Sequence, residues 1–438
     1  MNYPQTLDYL FNSVTSFQQV GASAYKPGLE RVEEFCDYMG NPQRDFLAVH
    51  IAGTNGKGST SHMIASVLQS AGYCVGLYTS PHLRDFRERM RVDGEMISEQ
   101  EVVEFVNRHK PKIEELGLSF FEITTVMAFD YFSRAGVEVA VIETGLGGRL
   151  DATNLILPIL SVVTNIGLDH TEFLGNTLSA VAYEKAGIIK KDVAIVLGEA
   201  SEEYNQVFES RAKECGSKLI YAQEEFACEV IGNKGEDCHS AMKMQEMLLK
   251  RGRDGKLFRV NLDLMGEWQS RNVVTASAAL DYLHQHTALT IPHHAYLEGL
   301  SSVMAKTHLQ GRWQELGREP MVVCDTGHNA HGLKYVTSEL KRCIEEYDRV
   351  ICVIGFAKEK DLSSVLPMLP SKAYYIFTQA AVSRALPAHE LARAARQAGL
   401  QGEIVVGVAE ALAKAKELAT PRDMIFVGGS NFVVAEIL

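Results

Sequence analysis

Phe46-Leu47-Ala48-Val49-His50-Ile51-Ala52-Gly53-Thr54-Asn55-Gly56-Lys57-Gly58-Ser59-Thr60 is the stretch that decides the fold. An apolar run meets three closely spaced glycines, and a helix-like segment, 61–69, follows. The order is strand, glycine loop, helix. Glycines let backbone N–H groups turn toward phosphate oxygens, Lys57 can reach terminal phosphates, and Ser59 or Thr60 can offer a hydroxyl to magnesium at a helix N-terminus. The stretch therefore reads as a triphosphate cradle for ATP or GTP. Its spacing departs from G-x-x-x-x-G-K-[ST], because only Thr54 and Asn55 separate Gly53 from Gly56 and Gly58 stands between Lys57 and Ser59. The match is to a variant loop, and the plain alternative is an ordinary strand-to-helix turn.

Composition narrows the setting. The chain has 438 residues, 46% of them hydrophobic, enough to bury more than one core and to divide into two or three domains. No apolar run approaches the ~20 residues of a membrane span, and Met1-Asn2-Tyr3-Pro4-Gln5 lacks the basic start of a signal peptide, so a cytoplasmic protein without a membrane partner is expected. A net charge of -12 argues against nucleic acid as a partner, while leaving room for a local basic pocket that holds an acidic small molecule. The eight cysteines, at 36, 74, 215, 228, 238, 324, 343 and 352, form no C-x-x-C pair and read as reduced thiols rather than zinc ligands or disulfides.

Apolar strand-like runs at 47–52, 75–79, 137–142, 159–165, 193–197 and 218–221 alternate with amphipathic stretches, the rhythm of a parallel α/β sheet. From 224 to 264 the pattern turns polar, with turns expected at 232–235 and 251–255, so a small antiparallel β part on the flank is expected. Helices at 269–286 and 293–304 lead to a linker at 309–313. Runs at 321–325, 350–354, 373–378, 403–406 and 424–427 then describe a second, smaller Rossmann-like α/β unit. The domains expected are 1–308 and 309–438.

Further chemistry clusters where such a sheet would place it. Glu143 ends an apolar strand and is followed by the glycine-rich Thr144-Gly145-Leu146-Gly147-Gly148-Arg149-Leu150-Asp151. A carboxylate at a strand's C-terminal end beside a phosphate loop suits magnesium, which takes one or two carboxylates plus phosphate oxygens; the alternative is an acid facing solvent. The run 161–170 reads as another strand, ending in Asp169 and His170.

At this point the chain resembles folylpolyglutamate synthase/dihydrofolate synthase, a branch of the ATP-dependent Mur ligase superfamily. Gly53 to Thr60, Tyr78-Thr79-Ser80-Pro81-His82-Leu83, Asp151-Ala152-Thr153-Asn154, Asn165-Ile166-Gly167-Leu168-Asp169-His170, Glu184-Lys185-Ala186-Gly187 and Asp325-Thr326-Gly327-His328-Asn329 carry the likeness, in the family's order. The resemblance implies a P-loop-type doubly wound domain followed by a smaller α/β domain, acting as a monomer. The implied reaction is amide formation between L-glutamate and a pteroate or folate carboxylate, driven by ATP through an acyl phosphate. No G-x-S-x-G or cysteine–histidine signature offers a covalent nucleophile, in keeping with direct phosphoryl activation.

Residue by residue, the resemblance puts Asn55, Gly56, Lys57, Gly58, Ser59 and Thr60 on ATP, with Asn272, Arg312, Asp325 and His328 on its phosphates or ribose. Ser80, Glu143 and His170 would hold magnesium, of which two ions are expected, and Glu143 and His170 would lie near the acyl phosphate. Lys185 would be carbamylated, so that an anionic oxygen replaces the cation, helps hold the second ion and orients the glutamate amine. By residue type alone, Lys185 reads as a solvated surface lysine. His82, Ser119, Phe120, Phe121, Glu122, Leu150, Asp151 and Ala152 match segments that contact the pterin-bearing substrate. Arg84, Arg87, Arg89 and Arg91 could meet an anionic glutamate tail, or form a solvated face. Two other readings stay open: a Mur-type ligase for a nucleotide-linked precursor, for which the segment before Gly53 is short, and a P-loop switch that signals through a partner.

Overall fold

The computed structural model describes residues 1–14, 28–234 and 243–438. It divides into a first unit, residues 1–263 and 269–308, and a second, residues 264–268 and 309–438.

The first unit is built on an eight-stranded sheet: β1 (Leu47–Ala52), β2 (Val75–Tyr78), β3 (Met90–Val92), β4 (Glu95–Met96), β5 (Val139–Glu143), β6 (Leu160–Val163), β7 (Ile195–Leu197) and β8 (Leu219–Tyr221), in the order β4-β3-β2-β5-β1-β6-β7-β8. The six strands from β2 to β8 along that order run parallel, and β3 and β4 extend the edge antiparallel. Parallel strands need crossovers that cover both faces, which is why β5 and β6 are largely apolar and are buried along their whole length. The helices Lys57–Ser70 and Phe120–Arg134 supply part of that cover. Because β5, β1 and β6 are parallel neighbours, the segments after them leave the same sheet edge, and the chain's outward winding reverses there. The glycine loop, the 144–151 turn and the 164–170 segment therefore start side by side.

Two expectations change in this unit. Strand β6 ends at Val163, so Asp169 and His170 lie in a loop rather than at a strand end. The reason is the hydrogen-bond account: after Val163 the chain pairs with the glycine loop, Thr54 N donating to the Asn165 carbonyl at 3.0 Å. The helix expected over 293–304 is two helices, His293–Ser301 and Val303–Thr307. The second starts afresh because Asp263 Oδ2 accepts the Met304 N–H at 2.7 Å, giving one of its orphan donors a partner.

The flanking antiparallel part is a three-stranded sheet of β9 (Phe226–Lys234), β10 (Met244–Arg251) and β11 (Leu257–Leu262), ordered β11-β10-β9. Gly232 lies inside β9 opposite Glu246, so no turn begins there, and the rest of the 232–235 expectation falls partly outside the described residues. The turn at 251–255 is present, with Gly255 N donating to the Arg251 carbonyl at 2.9 Å.

In the second unit a six-stranded sheet runs β12 (Gln314–Arg318), β13 (Met321–Asp325), β17 (Met424–Gly428), β14 (Val350–Ile354), β15 (Tyr374–Phe377), β16 (Gly402–Ile404). All neighbours are parallel except β12, an antiparallel edge with no counterpart in the sequence reading; its residues are half-exposed and carry one large apolar side chain, Leu316. Among the described residues no helix is long and apolar enough to cross a membrane, and the seven described cysteines are free; Cys238 lies outside them.

Phe132 is fully buried between the helix Phe120–Arg134 and β2, its ring against the bare backbone of Gly76. Phe132→Ala should destabilise the first unit by about 3–5 kcal/mol, seen as a lower urea midpoint of its unfolding transition.

Candidate functional site

Between β1 and the helix Lys57–Ser70 the backbone takes conformations that side chains resist. Gly56 has φ 78°, and a Cβ there would lie 2.3 Å from Asn272 Oδ1. Asn272, from the helix Gln269–His286, is buried, held by its own bond to Gln269 Oε1 at 2.8 Å, and so closes one side of the loop. Gly56 offers no capping side chain, leaving the first N–H groups of the helix directed at the loop. The hydroxyls of Ser59 and Thr60 are buried and meet no hydrogen-bond partner among the described residues, as does that of Thr144 after β5. Open helix donors with orphaned buried hydroxyls beside them match what a phosphate chain and its counter-cation require.

Charge is concentrated beside this loop. Lys57 Nζ lies 3.9 Å from Glu143 Oε1 and 3.5 Å from the Thr54 carbonyl. Glu143, at the end of β5, is 3% exposed. A buried carboxylate beside a lysine and a phosphate-type loop suits a hard cation arriving with phosphate oxygens, as a magnesium-type ion would.

Lys185 contradicts the solvated-lysine reading: it is 3% exposed, and its Nζ donates to the Gly53 carbonyl at 2.9 Å. The short helix Leu178–Ala186 carries it inward because Val181, Ala182 and Ala186 share its buried side. Burial first, and then the Lys57 charge, push its amine down to about 7. A substantial share is therefore the neutral, nucleophilic amine near neutrality.

The 164–170 segment has a role that the sequence reading did not give it. Asn165 Oδ1 accepts Asn55 N–H at 2.9 Å, Thr164 Oγ1 donates to the Asn55 carbonyl at 2.6 Å, and Gly167 N donates to Thr54 Oγ1 at 2.9 Å. Polar residues and a glycine directly after an apolar strand were the available signal. His170 sits in the left-handed region, φ 51°, about a third exposed, with Asp169 at 3.9 Å. Ser80, two residues after β2, precedes a cis proline.

Among the residues expected to meet the pterin-bearing substrate, the structure separates two groups. Asp151 is buried and accepts four hydrogen bonds: from Gly145 N and Leu146 N on Oδ2, and from Thr153 N and Oγ1 on Oδ1, all at 2.5–3.0 Å. It shapes the glycine-rich turn, which lies against the half-buried Phe121 ring so closely that a Cβ on Gly145 would meet it at 2.4 Å. Ser119 and Glu122 form a capping box, and Glu122 also pairs with Arg31 at 3.1 Å. Phe120 is 3% exposed and stacks on Phe11 at 5.2 Å, so it belongs to the core. Leu150 is half-buried and Ala152 buried.

The arginine run is not a solvated face. Arg89 and Arg91 are buried; Arg89 Nε donates to His82 Nδ1 at 2.8 Å, and its guanidinium lies over Phe120 at 5.1 Å. Burial and that cation push the His82 imidazole down. Arg87 is tied to Asp85 at 2.7 Å, and Arg84 alone of the four is exposed.

In the second unit, Asp325 at the end of β13 accepts Trp313 N at 2.9 Å and Gly327 N at 2.7 Å, while Arg312 donates to Thr326 Oγ1. His328 Nδ1 lies 2.9 Å from the Thr326 carbonyl. Asp325 and His328 thus lie at the turn that ends β13, and Arg312, from the segment before β12, reaches the same turn. Burial pushes the Asp325 carboxyl up, against the pull of Arg312.

Residues 51–280 match the Mur ligase middle domain, and residues 311–431 the Mur ligase glutamate ligase domain. The chain is 34% identical to the dihydrofolate synthase/folylpolyglutamate synthase of Bacillus subtilis, over 80% of each chain. It is also 34% identical to a probable bifunctional folylpolyglutamate synthase/dihydropteroate synthase of Haloferax volcanii, over all of this chain; it spans half the length of that relative. Two solved structures superpose closely. Escherichia coli FolC in complex with DHPP and ADP gives a TM-score of 0.85 at 30% identity, covering 100% of this chain and 97% of that one. A bifunctional folylpolyglutamate synthase/dihydrofolate synthase with Mn, AMPPNP and L-glutamate bound gives 0.83 at 27%, covering 100% and 97%.

Burial of Lys185 has a pH signature. The folded amine releases its proton at about 7, below the ordinary lysine value, so between those values the unfolded chain holds the extra proton and stability rises with pH. Lys185→Met removes that dependence: its stability relative to the unmodified wild type should be highest below pH 7 and decline toward pH 10, in urea titrations across that range.

Proposed function

Because the chain belongs to the Mur ligases, in their folylpolyglutamate synthase/dihydrofolate synthase branch, we propose that it is an ATP-dependent ligase joining L-glutamate to both dihydropteroate and reduced folates. The observation that carries the reading is the buried Lys185 amine bonded to the nucleotide loop: a pure nucleotide switch has no evident use for it. The relatives and bound ligands just described support the acceptor class and the use of ATP with a divalent ion. A cytoplasmic setting is part of the same reading and suits those substrates.

The chemistry proceeds in two displacements. An acceptor carboxylate oxygen attacks the γ-phosphorus of ATP, the bond to the β-phosphate oxygen breaks, and ADP leaves. The acyl phosphate then has a good leaving group where the carboxylate had none. The glutamate amine attacks its carbonyl carbon, the tetrahedral intermediate expels phosphate, and the amine proton passes to solvent. The protein positions these groups and offsets their charge. Lys57 and the N–H groups of 56–59 hold the phosphates, with the Ser59 and Thr60 hydroxyls beside them and Asn55 and Asn272 shaping the loop. Arg312, Asp325 and His328 are assigned to the nucleotide's phosphates and ribose, where the forked guanidinium suits an oxyanion. Glu143, Ser80 and His170 are assigned as ligands of magnesium, which would neutralise phosphate charge when bound.

Lys185 is assigned as a carbamate. Its neutral nitrogen adds to the carbon of CO2 and a proton leaves, giving an N-carboxylate that supplies an oxygen ligand near the glutamate amine. An amine near 7 is the form this addition needs. On the acceptor side, Phe121, Leu150, Ala152, Asp151 and His82 are retained, whereas the core packing of Phe120 and the cap of Ser119 and Glu122 make those three supports of the wall.

Phosphate release with ATP, magnesium and L-glutamate, comparing dihydropteroate, tetrahydrofolate and no acceptor, tests the reading when products are weighed by mass spectrometry. Glutamylated product from both acceptors is expected; product from one alone would make the enzyme monofunctional, and hydrolysis without amide would remove the ligase reading. Lys185→Ala should lower ligase turnover at least a hundredfold while ATP still binds, and 13C-labelled CO2 should give a carbamate signal in the wild type that this variant lacks. Arg312→Ala should lower kcat/KM for ATP about tenfold or more with an unchanged melting temperature.

A further inference from the structure

His50 lies in the middle of β1, fully buried between β5 and β6, where a core strand would ordinarily carry an apolar residue. Its Nε2 is 2.8 Å from Thr153 Oγ1. Thr153 Oγ1 in turn is 2.5 Å from Asp151 Oδ1, the short spacing of a hydroxyl donating to a carboxylate. Asp151 uses its other oxygen to accept the N–H groups of Gly145 and Leu146. Since the Thr153 proton points at Asp151, the hydroxyl oxygen accepts from His50, which fixes the imidazole as the Nε2–H tautomer. Nδ1 meets no partner among the described residues, and burial holds the ring neutral, pushed down to about 3. The result is one unbroken chain of hydrogen bonds, from the central strand through Thr153 to the Asp151 carboxylate, which also accepts from the turn that follows Glu143 and packs on Phe121.

We propose that His50 is a positioning residue for acceptor binding: through Thr153 it locks Asp151 in the rotamer that shapes the Gly145–Leu146 turn against Phe121. This rests on the ligase reading above, with the 144–151 segment on the acceptor side. A core residue kept polar and directional in the middle of the sheet converts the rigidity of β1 into the placement of a loop at its edge. The nucleotide loop also follows β1, but it is held by Thr164, Asn165 and Gly167, so the two loops have separate supports.

The test pairs steady-state kinetics with hydrogen exchange. His50→Leu keeps bulk but removes the donor, His50→Gln restores an N–H at similar reach, and Thr153→Val and Thr153→Ser break and keep the middle link. His50→Leu and Thr153→Val should each lower kcat/KM for the acceptor about tenfold with KM for ATP unchanged. Combined, they should cost no more than either alone, because they cut the same chain. Thr153→Ser, and His50→Gln in part, should recover the loss. In the same proteins, peptides covering 144–152 should exchange faster in His50→Leu and Thr153→Val and at the wild-type rate in Thr153→Ser. Unchanged exchange in both chain-breaking variants, additive kinetic losses, or equal losses toward ATP and acceptor would overturn the proposal. If the wild type makes no amide product, the ligase reading fails, and the exchange comparison still decides whether His50 holds the turn.

Discussion

The hydrogen bonds that Thr164, Asn165 and Gly167 make to the Thr54–Asn55 backbone are the constraint on which the site depends. A glycine-rich loop is costly to order, since glycine loses more backbone freedom than any other residue. Three glycines in six residues would leave the loop a poor cradle if nothing outside it fixed its path. The neighbouring strand supplies that order: β6 is parallel to β1, so the segment leaving it runs alongside the loop and engages its peptide groups before any ligand arrives. Asn272 closes the opposite side against Gly56. The N–H groups are thereby preorganised, and binding energy is not consumed in arranging them.

Electrostatics follows from the same packing. Lys57 stands 3.9 Å from the buried Glu143, and its charge adds to burial in pushing the Lys185 amine down. Lysine responds to such surroundings by giving up its proton, which arginine cannot do. That difference suits a lysine to the buried position 185.

Much of this was legible beforehand for a simple reason. Most of the parallel strands are largely apolar runs, and β1, β13 and β14 occupy the residues that hydrophobicity marks. The glycine loop and Glu143 were readable because backbone permissiveness and a strand-ending carboxylate leave chemical traces. What escaped was settled by partners remote in sequence. Lys185 looks solvated until the sheet closes over it, and Arg89 looks like one of four surface arginines until Phe120 and His82 surround it. Strand β12 has almost no apolar pattern, because an edge strand is held by its neighbour's backbone rather than by burial. The loop position of His170 turned on hydrogen bonds made 110 or so residues away in the chain, which no local pattern announces.

The five residues 264–268 belong to the second unit although the chain before and after them belongs to the first. Met265 and Trp268 join its core, and Trp268 meets Trp313 edge-on at 5.8 Å. During synthesis these five residues emerge well ahead of every strand of the unit whose core they pack against. The second unit therefore cannot finish folding as a self-contained C-terminal block: it must recapture a piece of chain already anchored on both sides by the first. Folding of the two units is coupled by covalent order, and a fragment beginning at 309 would be born with a gap in its core.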